Sequence, residues 1–141
     1  MEEAFRPPLM RSGTLGGEPT YRFSIDERGK LEYEGIRNVF VRGRRTARLT
    51  KETLEKLVAA LEGAHFWEFA ESYHSAATDQ PTCVLEFQQG TRSKRITDYG
   101  GQMDRRAPPR LIALEDEIDR LSGTKKWVHG SGWRRLLHWK F

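Results

Sequence analysis

Asp79 and Asp98 are the carboxylates best placed to do chemistry, one in Thr78-Asp79-Gln80-Pro81-Thr82 and one opening Asp98-Tyr99-Gly100-Gly101. A pair of acids performs general acid–base catalysis only when both reach one water and their surroundings push their proton affinities apart. Beside proline and glycine, a short acceptor typically satisfies exposed backbone N–H groups, so both aspartates read first as turn residues. An uncharacterised enzyme with an acidic site at Asp79 and Asp98 stands as an alternative. His65 and His74 are nine positions apart, too far for the one-face pair that a helix offers a metal, and no metal site is expected. Ser72, Ser75 and Ser93 lie in no G-x-S-x-G turn, and Gly13, Gly16 and Gly17 lack the G-K-[ST] ending of a nucleotide loop. The expectation is a protein that is not an enzyme, with no cofactor and no small-molecule substrate.

Two other groups of residues suggest binding. The C-terminal run Trp133-Arg134-Arg135-Leu136-Leu137-His138-Trp139-Lys140-Phe141 would, as a helix, align Trp133, Leu136, Leu137 and Phe141, with its cations largely elsewhere. Such a face seeks a partner, and Gly130-Ser131-Gly132 would be its hinge. From Arg37 to Arg48 the chain carries Arg37, Arg42, Arg44, Arg45 and Arg48 with no acid. Net charge is +4, and residues 125–141 alone hold five cations and no acid, which leaves the first 124 residues at −1. The primary expectation is a non-catalytic protein-interaction module that binds a protein partner or itself through the sheet surface and the tail. The alternative is nucleic-acid binding through Arg42, Arg44, Arg45, Arg48, Arg134, Arg135 and Lys140, with Trp133 or Trp139 stacking on bases. An anionic membrane surface ranks below both.

The elements that must position these residues follow from periodicity. A chain of 141 residues fits one domain with one core. Residues 1–19 carry Pro7-Pro8, Gly13, Gly16-Gly17 and Pro19 and are expected to form an irregular arm. Tyr21, Phe23 and Ile25 alternate with polar residues, Asp26 to Gly29 turns the chain, and Leu31 and Tyr33 continue the alternation, which predicts a hairpin. Val39-Phe40-Val41 suggests a third strand. Thr50 is a good N-cap, Leu49 and Leu54 suit a hydrophobic staple, Leu54, Leu57, Val58 and Leu61 form a stripe, and Gly63 stops the helix. Phe66, Trp67, Phe69 and Tyr73 follow as a short aromatic segment that plugs one end of the core. A second hairpin, Thr82 to Phe87 and Ser93 to Tyr99, precedes a helix opened by Pro108-Pro109 and marked by Leu111, Leu114, Ile118 and Leu121 up to Gly123.

The fold class is therefore α+β: two hairpin-plus-helix halves forming an antiparallel sheet packed against two main helices. The domain is expected to span 20–127, between an arm at 1–19 and a basic aromatic tail at 128–141. Cys83 is the lone cysteine, the chain opens on acids with no apolar leader, and no run approaches a membrane span, so a cytoplasmic location is expected.

The order Gly16, Pro19 and Tyr21, then Tyr33-Glu34-Gly35, then Thr78-Asp79, Pro81 and Thr82, then Asp98-Tyr99-Gly100-Gly101, then Leu114-Glu115 and Trp127 resembles a bacterial family known as domain of unknown function 6438. The resemblance runs from about Leu15 to Trp127. Its members open on a Cys-Phe-Gly-x-Cys-Pro-x-Tyr pattern, where this chain has Thr14 and Glu18 in place of the cysteines. The disulfide implied by the family is absent here, which fits a reducing compartment. The resemblance implies a fold and carries over no catalytic residue.

Overall fold

The protein is described by a computed structural model in which residues 9–12, 19–75, 82–100 and 107–130 are placed, the first group as backbone only. Among the described residues seven strands form one sheet in the order β4-β3-β2-β1-β6-β7-β5. They are β1 (Leu9–Ser12), β2 (Thr20–Ile25), β3 (Lys30–Arg37), β4 (Gly43–Arg48), β5 (Ser72–His74), β6 (Thr82–Gln89) and β7 (Arg92–Tyr99). The helices among the described residues are α1 (Lys51–Gly63), α2 (Pro109–Ser122) and the short α3 (Lys125–His129), with a 3-10 turn at Phe66–Glu68.

Both hairpins form where alternation places them. In the first, Asp26 Oδ1 accepts from the N–H groups of Arg28 and Lys30 at 2.9 Å each. Gly29 takes φ 91° with the Leu49 carbonyl only 2.6 Å from where a Cβ would stand. Helix α1 starts as its cap residue dictates, with Thr50 Oγ1 accepting from Thr53 N–H at 3.1 Å. Helix α2 begins at Pro109, whose fixed φ suits the first turn, and ends on Gly123 at φ 81°. Tyr21, Phe23, Ile25, Leu31, Tyr33, Leu85, Phe87 and Ile96 all lie on one sheet face and share a core with Leu57, Leu61, Leu111, Leu114 and Ile118 of the helices. Each such side chain, fully buried, contributes roughly 1.5–3 kcal/mol. Phe66 and Phe69 close the β6–β7 end, Phe66 meeting Phe87 edge-on at 5.6 Å.

Four expectations are corrected. Leu9–Ser12, inside the supposed irregular arm, is a strand that pairs with both β2 and β6 and joins the two halves into one sheet. The sheet is not wholly antiparallel, because β5 runs parallel to β7. Val39-Phe40-Val41 is a bend, and the third strand begins at Gly43 in the polar run GRRTAR, where no apolar period marks it. The tail boundary at 127/128 is also displaced. Val128 is buried and α3 continues to His129, so the body extends to Gly130.

Candidate functional site

The arginine run is divided by strand geometry. Register pairs Tyr33 with Arg45 and Glu34 with Arg44, and residues directly opposite in an antiparallel ladder share a face. Arg45 therefore lies on the helix side of the sheet at its rim, while Arg44, Thr46 and Arg48 lie on the open side with Glu34, Glu32 and Lys30. Arg42 sits just before β4 in the bend, exposed like the others. Arg48 Nη1 donates to the Arg28 carbonyl at 3.2 Å. On the open face Arg22 holds Glu34 through Nε and Nη2 at 3.0 and 2.7 Å, and Lys30 pairs with Glu32 at 3.3 Å. A shallow depression of about 240 Å³ lies over Arg22, Ser24, Glu32, Glu34 and Arg44. Its charges alternate in sign, so it lacks the single-sign field that concentrates an anion.

The bend before β4 is held by unusual partners. Phe40 N–H donates to the Val128 carbonyl at 2.9 Å and Val41 N–H to the Trp127 carbonyl at 2.7 Å, so α3 gives two of its last carbonyls to the bend. Tyr33 Oη donates to the Val41 carbonyl at 3.0 Å, and burial raises the Tyr33 pKa to about 12 despite the opposing Arg45 charge. The Tyr33 ring packs on Trp127 at 4.9 Å. Phe40 stays 70% exposed, yet its ring lies 3.2 Å from where a Cβ on Gly130 would stand. The residue from which the tail departs therefore touches the loop that leads into the arginine strand.

The other sequence-derived candidates fare differently. Asp98 is buried at 5% exposure on the helix side of β7, opposite Cys83 and Tyr73. Asp79, the other half of the acidic alternative, lies outside the described residues. So do Trp133, Arg134, Arg135, Leu136, Leu137, Trp139, Lys140 and Phe141 of the tail. His65 is exposed and 3.8 Å from Glu68, whereas His74, in the edge strand β5, stacks on Tyr99 at 4.5 Å. Among the described residues no cluster of metal-ligating side chains occurs, and no helix is long and apolar enough to cross a membrane.

Sequence reasoning missed a buried polar group. Asp119 accepts from Tyr21 Oη, joining α2 to β2 through the core, and Glu115 is buried one turn earlier. The signal was the spacing, since Glu115, Asp119 and Ser122 widen the buried stripe of Leu111, Leu114 and Ile118, whereas Leu121 is only half-buried. Lys94 was also missed. Its ammonium donates to the Trp67 carbonyl at 2.8 Å and to the Phe69 carbonyl, tying β7 to the aromatic segment.

These features define a two-layer α+β domain, one face of a mixed sheet covered by helices and the other open among the described residues. The chain belongs to the family described as domain of unknown function DUF6438, which matches residues 8–122. That match takes in β1 and ends at the close of α2, so α3 and the tail lie beyond it. No curated protein matches the chain.

Proposed function

We propose that this protein is a non-catalytic interaction module whose contact surface is the corner formed by the β3–β4 bend, the edge strand β4 and the root of the tail. The observation that carries this reading is the pair of backbone bonds from Phe40 and Val41 to α3, which brings Gly130 against Phe40. Two segments far apart in sequence, the arginine run and the basic aromatic tail, thereby issue from one place. Phe40 adds an exposed aromatic anchor of the kind enriched at protein interfaces. A cytoplasmic location belongs to the same reading and rests on the lone, buried Cys83.

Nucleic-acid binding stands second. Its arginines are split between two faces, and Glu32 and Glu34 interrupt them on the open one, which works against tracking a phosphate backbone. The acidic-site alternative stands third, with Asp98 buried in the core layer.

The test is capture of partners from cell extract by the full chain, by a truncation ending at Gly130, and by the full chain carrying Phe40→Asp. The truncation is expected to stay folded by circular dichroism, and both variants to lose partners that the full chain retains. Equal capture by all three would remove the corner from consideration.

A further inference from the structure

We infer that β4 accepts an extended acidic peptide as an additional strand, which specifies the partner chemistry of the interaction module and rests on that reading. Leu49 N–H donates to the Gly29 carbonyl, and Asp26 N–H to the Lys30 carbonyl. In an antiparallel ladder alternate residues bond to the same neighbour. Gly43, Arg45, Ala47 and Leu49 therefore face β3, while Arg44, Thr46 and Arg48 direct their N–H and C=O groups away from the sheet. Among the described residues the Arg44 carbonyl is met by the Arg45 guanidinium next to it, at 2.8 Å. This edge is six residues long, about 20 Å at ~3.4 Å per residue, and exposed along most of its length.

The charge pattern selects the occupant. Arg44 and Arg48 project on the open face and Arg45 on the other, so a peptide paired with β4 meets cations on both sides. Within β4 there is no acid, and Glu34, the acid opposite Arg44, is already held by Arg22. A second copy of β4 would bring arginine against arginine, and like charges directly opposite destabilise strand pairing. The tail, equally basic, is repelled for the same reason. An acidic segment gains ion pairs with Arg44 and Arg48 on one face or with Arg45 on the other, as well as backbone bonds, which is the β-augmentation mode of peptide recognition.

The experiment uses the full chain and a fluorescent peptide alternating Glu and Val over about seven residues, long enough to run the length of β4. Binding is read by anisotropy at low and high salt, beside a Lys-Val peptide and an oligothymidylate. The acidic peptide is expected to bind and the basic one not, with affinity falling as salt rises. Two alterations separate strand addition from simple charge attraction. Backbone N-methylation of alternate peptide residues removes donors from one edge, so one methylation phase is expected to abolish binding and the other to spare it. Thr46→Pro, which removes only an outward N–H, is expected to weaken binding by about tenfold or more. Equal binding of the two methylation phases, tighter binding of the oligothymidylate than of the peptide, or no binding of the acidic peptide at low salt would each overturn the inference. If the peptide fails while partner capture still depends on Phe40 and the tail, strand addition falls and the interaction module stands.

Discussion

At one edge of the sheet β5 is three residues long, runs parallel to β7 and is held by main-chain bonds at Glu71 and Ser75 and by side chains: His74 stacks on Tyr99, and Lys94 anchors the preceding aromatic segment. At the other, β4 is six residues long, pairs in full register with β3 and carries three arginines, while the loop that starts it is clamped by backbone bonds to α3. Among the described residues neither edge strand pairs with a further strand, and the difference shows two ways of living with that. A short strand offers too few groups to template another chain, whereas a longer one needs charge to choose its neighbours. The clamps differ as well: the loop before β4 is tied by main-chain bonds to a distant helix, whereas β5, bonded to β7 at Glu71 and Ser75, is anchored in addition through the Lys94 side chain, so the two edges should fail for different reasons.

The largest effect is expected from Gly35→Ala. A Cβ at Gly35 would stand 2.1 Å from the Val41 carbonyl and 2.6 Å from Tyr33 Oη, a collision with backbone that the clamped bend cannot relieve. A loss of about 3 kcal/mol in urea unfolding is expected. A near-neutral result would mean that the bend is loosely held and the contrast between edges is false. Lys94→Met is expected to come next, removing the donor shared by the Trp67 and Phe69 carbonyls. It should lower stability by about 2 kcal/mol, with hydrogen-exchange protection falling around β5 and leaving β4 unchanged.

The smallest effect belongs to Tyr33, whose raised pKa concerns alkaline pH only. The native state keeps the phenolic proton up to about pH 12, while the unfolded chain releases it near pH 10, so stability contributed here is intact below 10 and drains away between 10 and 12. Tyr33→Phe should flatten that decline relative to the parent chain in denaturant titrations at pH 8 and 11. At neutral pH it should lose about 1 kcal/mol with the bond to the Val41 carbonyl. An unchanged alkaline slope would show that the Tyr33 hydroxyl is open to water.

The hairpins and both long helices were legible because alternation, caps and turn glycines all agree, as at Asp26 to Gly29 and Thr50 to Gly63. β4 was not, since GRRTAR has no apolar period and becomes a strand only because β3 lies beside it. The apolar run Val39-Phe40-Val41 misled for the converse reason: it looks like a strand, but its N–H groups serve the end of a helix close to ninety residues away. The arginines of the candidate surface were visible as a cluster. Their division between faces was not, because one residue of shift in the strand start reverses every side chain. β1 was hidden among prolines and glycines, and only pairing on both sides makes it a strand.

The place of β1 also bears on the order in which the molecule assembles. Leu9 lies beside Leu85, with the whole first hairpin, β4 and all of α1 between them in sequence. Pairing over that separation carries a loop-closure entropy that the local hairpins do not. Each hairpin with its helix can organise from near neighbours, and the seam through β1 joins them afterwards. Until it does, β2 and β6 are themselves open edges, and without the charge that guards β4.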